Sequence, residues 1–348
     1  MSSGSAGRVA RTTPRPCDGA RGTTNAGTAV RTFLRTADGV RIDCLYEPGQ
    51  TPVPGLPGPA ADDRADGPDG TRTGGPEDAP AFVVAHGFTG DVDRPHLRRV
   101  ARALRRHGAV LTFSFRGHGA SGGRSTVGDR EVLDLAAAVG RARELGHARV
   151  VTVGFSMGGS VVLRHAALGA GTGGAAAGGP GAGGAGTGGD GAPAGPAEPS
   201  GPSEPSGLAG LPALPERQAR PDAVVSVSAP ARWFYRGTAP MRRLHWLVTR
   251  PEGRLVGRYG LRTRIHHRQW DPVPLSPVQS VPRIAPTPLL IVHGDRDGYF
   301  PLDHPRMLAA AAGDQGELWI EPGMGHAENA VTEALLHRIG DWAVTRAG

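Results

Sequence analysis

Apolar residues in this chain gather into short runs rich in β-branched side chains. They fall at 31–36, 40–46, 81–86 (AFVVAH), 109–115 (AVLTFSF), 149–154 (RVVTVG), 223–228 (AVVSVS), 288–293 (PLLIVH) and 317–320 (ELWI). The later runs are continuously apolar, the pattern of parallel strands buried on both faces. Between them, apolar positions recur with helical spacing at 94–107, 129–146, 157–168, 303–312 and 327–345. Strand–helix alternation of this kind predicts an α/β fold, with a mostly parallel sheet of about eight strands and helices on both faces.

Three stretches break the pattern. Residues 1–28 are small, polar and aperiodic; residues 48–80 are mostly Pro, Gly and Asp; residues 169–220 form a Gly/Ala/Pro tract. None has enough apolar surface to offset the entropy of ordering its backbone. They are expected to be a disordered tail, a low-complexity loop and a disordered insertion within a single domain spanning 29–348. What remains is roughly 235 residues, one domain's worth. The insertion follows a helix and precedes a strand, so it is expected to loop away from any chemistry.

Composition narrows the classes. The chain of 348 residues has 55 glycines and 32 prolines, a quarter of its length. No run approaches the ~18 apolar residues of a membrane span, and the N-terminus lacks the apolar core of a signal peptide. Two cysteines, Cys17 and Cys44, cannot build a disulfide framework or a zinc site. A cytoplasmic enzyme with no cofactor and no metal is expected. The formal charge is +7, yet every basic residue is arginine and none is lysine, which reflects GC-rich coding. With no helix-turn-helix, RNP or zinc-finger pattern beside it, no nucleic-acid partner is expected.

The sharpest local feature is Gly154-Phe155-Ser156-Met157-Gly158, directly after an apolar strand and directly before the helical run SVVLRHAAL. A second match, Gly119-Ala120-Ser121-Gly122-Gly123, has no helix behind it. Strand, tight turn and helix together form a nucleophile elbow, which lifts the serine hydroxyl toward substrate. The helix start supplies backbone N–H groups for a developing oxyanion. Serine is a poor nucleophile without a base to take its proton and a third group to orient that base. Both types follow at strand ends. PLLIVH runs into a loop with two carboxylates, Asp295 and Asp297, and ELWI runs into a loop ending in His326. The strand AFVVAH continues into Gly87-Phe88-Thr89-Gly90. There the N–H of Phe88, paired with that of Met157, is expected to form an oxyanion hole, while His86 braces the loop through its ring nitrogens.

Residues 81–168 and 221–345 resemble the α/β-hydrolase superfamily, on the serine hydrolase branch of monoglyceride lipases, lysophospholipases and serine aminopeptidases. The resemblance rests on HGF at 86–88, FRGHGASGG at 115–123, GFSMGG at 154–159, HGDRDGYFP at 293–301 and PGMGH at 322–326. It implies the α/β-hydrolase fold with a small cap between the sixth and seventh strands, and a triad in the order Ser156, Asp297, His326. Asp297 stands three residues after Gly294 and four before Pro301, as the family's acid does, and Asp295 is the alternative. Ser114 occupies a position where the family usually carries Asp, a departure that concerns loop bracing. Family members that resemble haloalkane dehalogenases or epoxide hydrolases place Asp at the elbow. Serine there implies an acyl-serine intermediate on an ester, thioester or amide. The same triad would also serve an acyltransferase, and a non-catalytic binding protein of this fold is the rival from another class.

The cap, 229–287, carries Trp233, Phe234, Tyr235, Trp246 and Trp270. All five suit the roof of an apolar pocket for a small-molecule acyl substrate, and the first four are the expected pocket residues. Ten arginines stand between Arg232 and Arg268 against the single acid Glu252. They suggest attraction of an anionic acyl substrate or transient contact with an anionic membrane. Met241, Leu244, Leu247 and Val248 would then form the apolar stripe of an interfacial lid. A histidine base further implies activity that falls at acid pH.

Overall fold

The computed structural model describes residues 28–50, 79–169 and 220–348. The tail, most of the 48–80 loop and nearly all of the 169–220 tract lie outside the described residues. Eight strands form one sheet: β1 (Val30–Arg35), β2 (Arg41–Glu47), β3 (Ala81–Ala85), β4 (Ala109–Phe113), β5 (Val150–Phe155), β6 (Ala223–Val227), β7 (Leu289–Gly294) and β8 (Gly316–Glu321). Their order is β1-β2-β4-β3-β5-β6-β7-β8. β1 pairs antiparallel with β2, and β2 antiparallel with β4; every pairing from β4 to β8 is parallel.

The continuous apolar runs have a direct cause. In β3, Ala81, Val83 and Ala85 enter the core on one face, while Phe82 and Val84 enter the core on the other. Helices α2 (Glu131–Glu144), α3 (Met157–Gly169) and α7 (Asp303–Ala312) cover the first face. The second is covered by α1 (Pro95–Leu104) and α9 (Glu333–Arg346). No polar face is left to alternate.

Most boundaries match the sequence expectation, but the helix expected over 327–345 is two helices. α8 (Ala327–Ala330) stops at Val331. Thr332 then begins α9, its side chain accepting the Leu335 N–H at 3.2 Å. This N-cap interrupts the run and satisfies one of the donors a helix start leaves unpaired.

Between β6 and β7 the chain builds the cap from α4 (Ala239–Thr249), α5 (Pro251–Gly260), an extended segment near 263–266 and the short helix α6 (Pro277–Ser280). That segment is sewn to the loop after β4. Arg264 N–H donates to Gly117 O at 2.8 Å, Ser125 N–H to Arg264 O at 2.7 Å, and His266 N–H to Ser125 O at 2.8 Å. The Arg264 guanidinium adds a bond to Ser121 O. The loop after β4 is itself locked by Arg116, whose buried guanidinium binds Asp134 of α2 at 2.8 Å and Asp38 at 2.7 Å.

Candidate active site

Ser156 follows β5 directly and precedes α3, with φ of 52°. The flanking glycines let the turn close. A Cβ on Gly158 would lie 2.2 Å from Ala85 O of β3, and one on Gly154 would lie 2.2 Å from Gly158 O. Any side chain at either place would push the elbow off the sheet, and the serine with it.

His326 reaches Ser156 from the loop after β8. Its Nε2 is 2.9 Å from Ser156 Oγ, and its Nδ1 is 2.8 Å from Asp297 Oδ2. A carboxylate can only accept, so Nδ1 carries the proton here and Nε2 accepts from the serine hydroxyl. The Asp297 side chain is fully buried. Its Oδ1 accepts the N–H groups of Tyr299 at 2.8 Å and Phe300 at 3.1 Å. Burial alone would push this carboxyl up. The His326 hydrogen bond and charge, with the two backbone donors, outweigh burial and hold it below the usual carboxylate range. Asp295 points elsewhere, exposed and accepting the Gly323 N–H at 2.6 Å. The structure thus brings Ser156, His326 and Asp297 into one hydrogen-bonded chain and leaves Asp295 out.

Ser121 is buried and committed to the scaffold. Its hydroxyl donates to Ser114 O at 2.6 Å and accepts the Asp43 N–H at 2.9 Å. Ser114 braces the loop as well, its Oγ accepting the Val92 N–H at 3.1 Å.

Phe88 and Met157 both border the cavity above Ser156. Among the described residues, neither backbone N–H donates to a protein acceptor. The Phe88 loop is held from two sides. Burial, then the neighbouring His118, pushes the His86 imidazole down to about 3. The neutral ring donates from Nδ1 to Gly87 O at 2.7 Å and accepts the Phe115 N–H on Nε2 at 3.0 Å. From the other side, the Glu328 carboxylate accepts the Gly87 N–H at 2.9 Å. Sequence reasoning missed Glu328. Its only signal was an acid two residues after His326, and burial is what gives it meaning. Tyr299 was also missed; its ring stacks on the His326 imidazole, centroids 4.1 Å apart and planes 22° from parallel.

A cavity of about 350 Å³ opens over Ser156. Trp233, Phe234 and Tyr235 line it, as expected from the sequence. Trp246 does not: it lies on the outer side of α4, 48% exposed. Trp270, the fifth of these aromatics, does line it, its indole N–H donating to Thr126 O at 2.7 Å and its ring 5.1 Å from that of Trp233. The apolar stripe of α4 expected from the sequence is present and covered. Met241 and Leu247 are buried, and Leu244 and Val248 line the cavity, so the stripe faces inward. An apolar helix face turned to the pocket gains more by that burial than by exposure to water.

Among the described residues, no helix is long and apolar enough to cross a membrane, and no group of three or more His, Cys, Asp or Glu could hold a metal ion. Cys44 is buried, and burial pushes its thiol up to about 12.

Residues 82–334 match the model of the alpha/beta hydrolase family, well over half of the chain. The chain belongs to the alpha/beta hydrolase family. Membership places it among hydrolases. Solved structures share its fold at low identity. The Pyrococcus furiosus esterase Pf2001 is 18% identical with a TM-score of 0.56, over 93% of each chain. The alpha/beta hydrolase GrgF from Penicillium sp. sh18 is 16% identical with a TM-score of 0.56, over 92% of this chain and 99% of that one. The esterase domain of a Rhodothermus marinus protein is 17% identical with a TM-score of 0.51, over 92% of this chain and all of that one. None of these singles out the monoglyceride lipase branch. No curated protein sequence matches the chain.

Proposed function

We propose that this hydrolase is a serine esterase that cleaves carboxylic esters through an acyl-enzyme on Ser156. The observation that carries the reading is the continuous chain from Ser156 Oγ through His326 to buried Asp297, at 2.9 and 2.8 Å. The solved esterases of the same fold are consistent with it.

The steps follow from the geometry. Ser156 Oγ attacks the ester carbonyl while His326 Nε2 takes the hydroxyl proton. The carbonyl electron pair moves onto oxygen, which the N–H groups of Phe88 and Met157 are oriented to receive. Asp297 holds the imidazole with Nδ1 protonated and balances the imidazolium charge. The tetrahedral species collapses, and His326 returns the proton to the departing alkoxide. Water then repeats the sequence on the acyl-serine and releases the acid. Removing one oxyanion donor from such a site costs about 3–4 kcal/mol of transition-state stabilisation.

The test is labelling by a fluorophosphonate, which reacts with activated serines. Wild type and Ser121→Ala are expected to label and Ser156→Ala to remain unlabelled, with turnover of p-nitrophenyl esters lost in the same variant. Labelling that survives in Ser156→Ala refutes the assignment.

A further inference from the structure

The charge around the cavity is one-sided. Arg232, Arg236, Arg254 and Arg268 border it, and no carboxylate does so among the described residues. Arg232 is neutralised by Asp303 at 3.0 Å. Arg254 bonds backbone carbonyls, Val248 O at 3.5 Å and Thr249 O at 3.3 Å. Among the described residues, neither Arg236 nor Arg268 pairs with an acid, and Arg254 does not either. Arg31, Arg98, Arg116, Arg143 and Arg338, by contrast, each pair with an acid.

Two of the three histidines at the cavity, His245 and His266, stand in the same field. Burial, then the charge of Arg236, holds His245 below its ordinary range. Burial, with His267, Arg268 and Arg124 nearby, does the same to His266. Both rings therefore stay neutral and add little positive charge of their own. Much of the remaining lining is apolar, with Met241, Leu244, Ile265 and Trp270 among it.

An apolar cleft with uncompensated guanidinium groups at its edge suits a molecule with two matching parts. We propose that the substrate is an ester with an apolar body and one anionic group, a carboxylate or a phosphate, held by Arg236, Arg254 and Arg268 while the carbonyl sits at Ser156. This rests on the esterase reading above. Guanidinium groups bind both anions by paired N–H donors, and a cleft lined by one sign of charge concentrates the opposite ion. The anion can sit on the acyl side or on the alcohol side of the ester.

Two substrate sets separate these cases. In the first, p-nitrophenyl half-esters of dicarboxylic acids of rising length are each compared with the ester whose far carboxylate is capped as a primary amide. In the second, the butyryl ester of 4-hydroxybenzoate is compared with that of 4-hydroxybenzamide. The expected result is an anionic-to-neutral ratio of kcat/KM of about tenfold or more in one set at low salt, as field focusing of this kind gives. That ratio should shrink in ~1 M salt, where screening acts within about 3 Å. It should fall toward unity when Arg236→Gln and Arg268→Gln are combined. It should hold in Arg346→Gln, a remote charge change that breaks the surface pair with Glu317.

A ratio at or below unity in both sets, with the neutral esters turned over, overturns this inference and leaves the esterase reading standing. A ratio that ignores the double arginine variant overturns it too. So does activity that responds to anionic vesicles but not to the charge of a soluble ester, because the arginines would then serve a membrane surface. No turnover in either set, with no labelling of Ser156, overturns the esterase reading and this one with it.

Discussion

Glu328 offers the most direct test of how the loop beside Ser156 is held. Its carboxylate is buried, 9% exposed as a residue, and Oε1 takes the Gly87 N–H at 2.9 Å. It lies so close that a Cβ on Gly87 would fall 3.0 Å from Oε1 and 3.1 Å from Oε2. Gly87 immediately precedes Phe88, so this one bond fixes the plane of the peptide beside the proposed oxyanion donor. A hydrogen bond to a charged acceptor contributes about 1.5–3 kcal/mol, and the buried N–H left behind costs about 1–3 kcal/mol. Glu328→Ala should therefore lose about 2–3 kcal/mol of stability in urea unfolding. Loss of alignment at Phe88 should lower kcat by a factor between about 10 and the 10²–10³ seen when an oxyanion donor is removed outright. KM should change little, because the donor acts on the charge that develops during reaction. Glu328→Gln keeps a carbonyl acceptor at the Oε1 position and should recover most of both quantities. Steady-state kinetics on a p-nitrophenyl ester, with urea melts of the same samples, measure this. An alanine variant with unchanged unfolding midpoint and kcat within a factor of about two would refute the reasoning.

Three further outcomes are expected. Arg116→Ala should destabilise the fold by about 3–5 kcal/mol, since it strands the buried Asp134 carboxylate without its partner; a chemical denaturation midpoint close to wild type would contradict it. Among the described residues His165 has no partner on either ring nitrogen, and burial pushes its imidazole down to about 4 from 6.5. The folded form thus binds this proton less readily than the unfolded chain, so its full stability holds above pH 6.5 and declines as the pH falls toward about 4. His165→Leu should flatten the stability curve across that window by about 1.4 kcal/mol per pH unit, and an unchanged slope would mean the ring is not buried as a neutral base. The chain leaves at Gly169 and returns at Arg220 with the two in contact, a Gly169 Cβ lying 3.9 Å from the Arg220 Cβ. Replacing residues 170–219 by a few Gly and Ser residues should keep ester turnover and raise stability, by about 0.6 kcal/mol for each halving of loop length; loss of turnover would show that the tract reaches the site.

Much of this fold is written in periodicity. Strands buried on both faces announce themselves as continuous apolar runs, and each of the eight expected strands is present within a residue or two. The elbow was legible because Ser156 has a strand before it and a helix after it, a context that Ser121 lacks. Three things were not legible, each for a physical reason. The stripe Met241–Leu244–Leu247–Val248 shows that α4 has an apolar face, but periodicity does not say whether that face meets water, lipid or the cavity. Trp246 is the same ambiguity in one residue: aromatic content suggested the pocket, and helix phase sent it outward. The Glu328 carboxylate reads as a surface acid until the α8 turn brings it against Gly87, a contact between residues far apart in sequence. The break at Thr332 was readable after all, because Thr is a strong cap and its N–H partner lies three residues on.

The seam between the cap and the loop after β4 also determines what can be exchanged. The cap begins after Ser228, whose Oγ accepts the Ala327 N–H at 3.1 Å, and is pinned again at 263–266 by main-chain bonds that any sequence could supply. Between those two fixed points lie α4 and α5, tied toward the triad by Thr238 at the start of α4, whose hydroxyl donates to Tyr299 O at 2.9 Å. They form a cassette: with Thr238 kept, swapping one helix pair for another is expected to leave Ser156, His326 and Asp297 in place. Selectivity and catalytic machinery are therefore separately inheritable in this chain. A library restricted to residues 239–262 would explore substrate range and leave the Thr238 bond to the catalytic loop in place.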